Sequence, residues 1–298
     1  MTNTASAPAN AMPARKLKKE GMWKQTIKRL LHDKVAMIGM IGLILIILLS
    51  IFGPILTPHS PDEMDLFNMN SGPTWEHPMG TDALGRDCMA RLIYGGRFSL
   101  VLGFGSSLLS LAIGIILGSI AGYFGGAADS IIMRICDIMQ SIPPMMISII
   151  ISITLGSSIP VTMLALALGG FSFSTRLTRA QILSVRKSEY IDAAKSVNCG
   201  VPRIMFRHIL PNVMSPMLLD FTMKIAHMIQ LSAGLSVIGL GIQPPTPEWG
   251  AMLSDGRNYI LTHPHLVIFP GIFIFATSYF INLFGDGLRD ALDPKLKK

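Results

Sequence analysis

Asp220, Lys224 and His227 stand four and three residues apart in the otherwise uncharged run from Val213 to Leu240. On a helix this spacing puts them on one face. Ionisable groups in an apolar helix are costly, and they are kept where something polar must be met. The chemistry they offer is a polar stripe along the path of a zwitterionic substrate. The same spacing also fits an internal Asp220–Lys224 pair near the cytoplasmic end of a span, with the lysine head snorkelling to the interface. A second constellation, Glu189 to Asn212, is polar and basic and reads as two short helices with a break. Arg203 and Arg207, four apart, lie on one stripe, and Val201, Ile204, Met205 and Ile209 on another. Arginines so placed can make charge-assisted hydrogen bonds to acids of a soluble partner. An amphipathic hairpin that merely links two spans is the alternative.

Catalytic residues are not expected. The loops carry no nucleophile–base constellation. No Gly-x-x-x-x-Gly-Lys-[Ser/Thr] phosphate loop occurs, so the chain has no evident means of holding ATP itself. Cys88, Cys136 and Cys199 fall in three different regions and form neither a metal spacing nor a disulfide framework. His77, His263 and His265 share one side by topology, but their spacing is a weak metal signal, and no metal or cofactor residue is assigned.

The elements that position these residues are membrane helices. Half of the residues are hydrophobic and only 14% are charged, with mean hydropathy +0.50; a soluble domain carries roughly a quarter charged residues. Apolar runs occur at Val35–Phe52, Ser99–Gly122, Ile138–Leu155, Ile159–Thr175, Val213–Leu240 and Leu266–Phe284. The second is rich in Gly and Ser at a spacing that lets helices approach closely. The third is entered through an amphipathic lead-in, where Asp129, Arg134 and Asp137 read as an ion-pair cluster and Pro143-Pro144 kinks or starts the span. The net charge of +7 does not point to nucleic acid, because the cations sit in blocks between apolar runs. Eight Lys and Arg precede residue 35, seven lie in 176–212 and four in 285–298, against three in 57–98 and one in 241–265. The positive-inside rule places the three basic segments, and both termini, in the cytoplasm. No signal peptide is read at the start.

The hairpin has its own signals. Its first helix reads Lys187 to Val197. Asn198 suits the left-handed residue that ends a helix. Gly200 caps the second helix, Pro202 sits in its first turn, and Leu210-Pro211 ends it.

The segment resembles the EAA loop of binding-protein-dependent ABC importer permeases: Glu-Ala-Ala, three residues, Gly, about nine residues, then Ile-x-Leu-Pro. Asp192, Ala193 and Ala194 take the first places and Asn198 takes the glycine's; Gly200 is not the motif glycine. The ending Arg207-His-Ile-Leu-Pro-Asn212 is similar to the peptide/nickel branch, as are His77–Asp87, Gly239–Gly250 and Gly285–Pro294. Asp192 is a methylene shorter than Glu and Asn198 is costlier than Gly in the left-handed region, so tuning rather than loss is expected. Ser232 stands where the family often has Glu.

The resemblance implies an all-α integral membrane protein with six transmembrane helices in the MetI-like importer permease fold. It implies a basic tail (1–34), a first transmembrane helix (35–56), an extracytoplasmic loop (57–98), a five-helix core (99–284) holding the coupling loop 176–212, and a C-terminal tail (285–298). ATPase coupling falls to Glu189, Asp192, Ala193, Ala194, Asn198, Arg203, Arg207, Leu210 and Pro211. The implied partners are a homologous second permease, two ATP-binding subunits carrying ATP and Mg, an extracytoplasmic substrate-binding protein and the bilayer of a bacterial or archaeal plasma membrane. The cargo class is di- or oligopeptides, nickel or a related solute. A secondary transporter driven by an ion gradient is the alternative, and it would favour inverted repeats that the sequence does not display.

Overall fold

A computed structural model describes residues 22–292, and every described element of regular structure is helical. Arg15–Lys19 of the basic tail and the end of the chain from Asp293 lie outside the described residues. In order, the helices are α1 (Met22–His32), α2 (Lys34–Leu56), α3 (Cys88–Phe124), α4 (Gly126–Ser141), α5 (Pro144–Leu155), α6 (Ile159–Val185), α7 (Glu189–Ser196), α8 (Val201–Arg203), a π-helical turn (Ile204–Ile209), α9 (Leu210–Val237), α10 (Trp249–Gly256) and α11 (His265–Leu292).

Five of the six apolar runs fall on α2, α3, α6, α9 and α11, and the third, Ile138–Leu155, is split between the end of α4 and α5. Among the described residues, α2, α3 and α11 are long and apolar enough to cross a membrane, and α4 with α5 makes a fourth if that pair, bent by 89°, counts as one span. The bend falls where Ile142 and Pro143 are extended and Pro144 opens α5. A proline donates no backbone N–H, and the residue before it is pushed out of the helical region. α6 and α9 have the length, at 27 and 28 residues, but not the apolarity. α6 carries Arg176 and Arg179, and α9 carries Asp220 and Lys224.

Small polar residues are buried in the bundle beside its apolar core, and large apolar ones face outward. Ser99, Ser106, Ser107, Ser110, Ser174, Thr175 and Thr178 are buried, while Ile38, Ile41, Leu45 and Leu48 of α2 are exposed. This suits a lipid solvent, in which small residues bring backbones together. α3 and α6 form the most extensive helix pair. A Cβ on Gly114 would lie 2.4 Å from Ser174 Cβ, and one on Gly118 would lie 2.5 Å from Thr175 O. The stripe of small residues expected in the second run therefore faces α6.

Two expectations are corrected. The ion-pair cluster within the α4 lead-in does not form: Asp129 takes both Arg179 Nε and Nη2 (2.5 and 2.6 Å), Asp137 pairs with Arg176, and Arg134 is exposed. The acids of α4 reach across to α6. The expected loop 57–98 is helical from Cys88 onward, because Asp87 accepts from Ala90 N at 2.6 Å and starts α3 there. Arg91 and Arg97 hide that turn from an apolar reading. Arg97 in fact spends its guanidinium on the carbonyls of Ser50 and Ile51 at the end of α2, both at 2.7 Å.

Candidate functional site

The hairpin at 189–209 forms at the C-terminal end of α3. Ile191 and Ala194 of α7 are buried with Ile204, Met205 and Ile209 against Leu111 of α3, Ile182 of α6, and Val213 and Met217 of α9. Arg186, between α6 and α7, donates to Gly122 O at 2.9 Å and so satisfies a carbonyl in the last turn of α3. The loop is thus docked on α3, α6 and α9.

Asn198 has φ +56°. Cys199 N donates to Ala194 O at 3.1 Å, and Asn198 N to Lys195 O at 2.8 Å. This pair of bonds is a Schellman motif with Asn198 at its left-handed position. Replacing Asn198 by Gly is expected to leave the hairpin folded or firmer. Asn198→Val puts a β-branched residue at positive φ, at about 1–2 kcal/mol. Limited proteolysis at the hairpin should then run roughly 5–30-fold faster in Asn198→Val than in wild type.

The second half departs from expectation. Leu210-Pro211 does not end the helix, which continues as α9. Leu210 N donates to Met205 O, five residues back, and the wide π-helical turn precedes the proline. In an unbroken α-helix the Pro211 ring would press on the carbonyl four residues earlier; a bulge there relieves the clash.

The coupling residues divide by exposure. Glu189, Asp192, Ala193, Asn198, Arg203, Arg207 and Pro211 are exposed, whereas Ala194 and Leu210 are buried in the hairpin's own core. Among the described residues, the Asp192 carboxylate pairs with Lys195 alone, at 3.0 Å. Three residues that the sequence reading missed share the free surface: Tyr190, Val197 and Phe206, at 42, 74 and 73% exposure. Sequence stripes identify the buried face and leave such apolar outliers unassigned.

The polar stripe also resolves. Lys224 sits at the middle of α9, its side chain 8% exposed, and its Nζ lies 3.1 Å from Asp220 Oδ2. Nζ also donates to Ser174 Oγ, to Gly170 O at 3.2 Å and to Ser110 Oγ at 3.4 Å. Ser174 Oγ donates to Asp220 Oδ2 at 2.5 Å. The internal pair is therefore present, but Lys224 does not snorkel, because α3, α6 and α9 enclose its head. His227 is outside the pair. It lines, with Lys224, Phe173 and Met228, a cavity of about 270 Å³ that reaches the α4–α5 break at Ile142 and Pro144.

The N-terminal end of α3 is a second polar region. The run His77–Asp87 builds turns, with Gly80 and Gly85 at φ +76° and +73°. A Cβ on Gly85 would meet Asp65 O at 1.8 Å, so the turn requires glycine. Glu248 is buried; it accepts from Ser236 Oγ at 2.9 Å and Ala251 N at 2.8 Å. The buried carboxylate beside α9 thus comes from the loop before α10, while Ser232 has no partner for its buried hydroxyl among the described residues. A cavity of about 420 Å³ here is lined by Arg86, Arg91, Asp255 and Arg257, among others. Burial pushes the Asp255 carboxyl up from its ordinary value, against the opposing pull of Arg86 and Arg91.

Residues 114–298 match the model of the binding-protein-dependent transport system inner membrane component, which covers the hairpin, the Lys224 site and α10. The chain belongs to that family. Residues 21–73 of this permease match a second model, the N-terminal TM domain of oligopeptide transport permease C. The permease is 42% identical over 275 residues to the dipeptide transport system permease protein of Alkalihalophilus pseudofirmus, covering 92% of this chain and 90% of the relative. It is 38% identical over 294 residues to the oligopeptide transport system permease protein of Bacillus subtilis, covering 98 and 96%. Among solved structures, an inward-facing conformation of the MetNI methionine ABC transporter matches with TM-score 0.55 at 17% identity, over 69% of this permease and 97% of that chain. The all-helical MetI-like fold that the motifs implied is the fold of this chain.

Proposed function

We propose that this chain is the membrane-embedded permease subunit of an ATP-driven importer of di- and oligopeptides. The observation that carries this reading is near-full-length similarity, at 42 and 38% identity, to the dipeptide and oligopeptide permeases, joined to a hairpin that turns Asp192, Ala193, Asn198, Arg203 and Arg207 outward. In this reading six spans cross a bacterial or archaeal plasma membrane with both termini inside. Residues 1–34, 176–212 and 285–298 face the cytoplasm, 57–87 lie outside, and 88–284 form the five-helix core. The chain pairs with a homologous second permease, and a binding protein delivers cargo from outside. Two ATPase subunits carry ATP and Mg; one grips Asp192 to Asn198 and pairs its acids with Arg203 and Arg207, and the other grips the corresponding helix of the second permease. Their closure pulls the hairpin, and through it α3, α6 and α9, in rigid-body fashion. The cavity beside Lys224 and His227 lies on the cargo's path. This subunit itself carries out no hydrolysis.

Affinity purification of the tagged chain from its native membrane in mild detergent tests the reading. A second permease and two nucleotide-hydrolysing subunits should come with it. A chain that purifies alone under several conditions would overturn the importer assignment.

A further inference from the structure

We propose that His59, Glu76 and His77 form a binding site for a divalent transition-metal ion of the Zn²⁺ type, on the end of the bundle opposite the coupling hairpin. The three are not neighbours in a motif. His59 follows α2, whereas Glu76 and His77 belong to the turns before α3. The fold brings one ligand atom from each to within 4.8 Å of the other two. The imidazoles of His59 and His77 lie 4.7 Å apart between centroids. His263 and His265, which the sequence groups with His77, instead contact each other at 6.1 Å.

The donor set fits the ion. Two imidazoles and one carboxylate are a three-ligand zinc set that leaves a fourth position open. His77 is buried, and its Nδ1 lies 2.9 Å from Asp87 Oδ2, so Nε2 is the nitrogen left for a metal. A carboxylate on the far nitrogen is the usual outer partner of a metal-bound histidine, fixing the tautomer and raising its basicity. Asp87 is itself held by capping α3 through Ala90 N. Donor atoms around a tetrahedral zinc stand about 3.4 Å apart. Glu76 is exposed and His59 half-buried, so side-chain rotation can close the remaining gap. A bound ion would tie the segment leaving α2 to the turn that starts α3. The site does not depend on the peptide reading, and a failure here would leave that reading untouched.

The test uses the full chain in lipid nanodiscs, titrated with Zn²⁺ against a chromophoric chelator in excess Mg²⁺. His59→Ala and Glu76→Gln alter the ligand set at positions that are not buried; His77 is left alone because it braces Asp87. Wild type should bind one more Zn²⁺ in the micromolar range or tighter than either variant, and each variant should lose at least tenfold in affinity at that site. Zn²⁺ should also raise the thermal midpoint of wild type and not of the variants, all three starting from the same metal-free midpoint. Titrations that are alike in all three proteins, or a wild type that binds no Zn²⁺ in the micromolar range, would overturn the site.

Discussion

Lys224→Met should be the most damaging single change within the helical bundle. It leaves Asp220, whose side chain is 7% exposed, buried without its cation. Breaking a buried pair from one side costs about 3–5 kcal/mol, much more than removing both charges. Ser174 still donates to Asp220, but a hydroxyl does not replace the charge. The measurement is the thermal midpoint of the purified chain together with peptide uptake in cells. Lys224→Met is expected to lower both. The double variant Asp220→Asn, Lys224→Met should recover most of the midpoint, since replacing a buried pair by groups of similar volume is often neutral. Uptake separates the roles. If Nζ meets the cargo's carboxylate in the cavity it shares with His227, the folded double variant stays at least tenfold slower than wild type. Uptake restored along with stability would show a brace between α3, α6 and α9 and remove Lys224 from the path.

This pair also marks how far the sequence reaches. Asp220 and Lys224 are visible because two charges interrupt an apolar run, and four residues on a helix settle their contact. Asn198 is visible for a similar local reason: few residues other than glycine accept a left-handed backbone. What stays hidden depends on partners far along the chain. Arg179 meets Asp129 fifty residues away, and Arg176 meets Asp137 thirty-nine away, although both arginines read as topology signals. The nearer candidate, Arg134, stays outside because it projects from the free face of α4. The continuation of the helix through Pro211 was equally illegible. A proline reads as a stop unless the preceding turn widens, and nothing in Ile204–Ile209 announces a π-helical turn. The His59–Glu76–His77 cluster needs the loop between α2 and α3 to fold back, and sequence spacing does not encode that.

Ala193→Trp should abolish coupling while leaving the permease folded and in the membrane. Two adjacent alanines of α7 have opposite surroundings. Ala194 is 7% exposed and packs in the hairpin's core, so a large residue there overpacks the site and unseats α7. Ala193 faces outward between Asp192 and the Val197 end of the helix, and an indole there meets only what docks. In the proposed complex that is an ATPase subunit, seated over Tyr190, Val197 and Phe206 with Arg203 and Arg207 beside them. An indole wedged into such a contact need cost only 1.4 kcal/mol to weaken binding about tenfold. Ala193→Trp should therefore keep its midpoint and membrane level, lose its ATPases on purification and fail to take up peptide. Ala194→Trp should lose the midpoint as well. Deletion of 196–200 removes the Schellman turn and should combine the two defects. If Ala193→Trp retained ATPases and transported at the wild-type rate, the outward face of α7 would not be the contact, and the hairpin would be only a docked link between α6 and α9. The contrast between neighbours makes the test sharp: one helical position separates a docking defect from a folding defect, and the two proteins differ in where the same indole is placed.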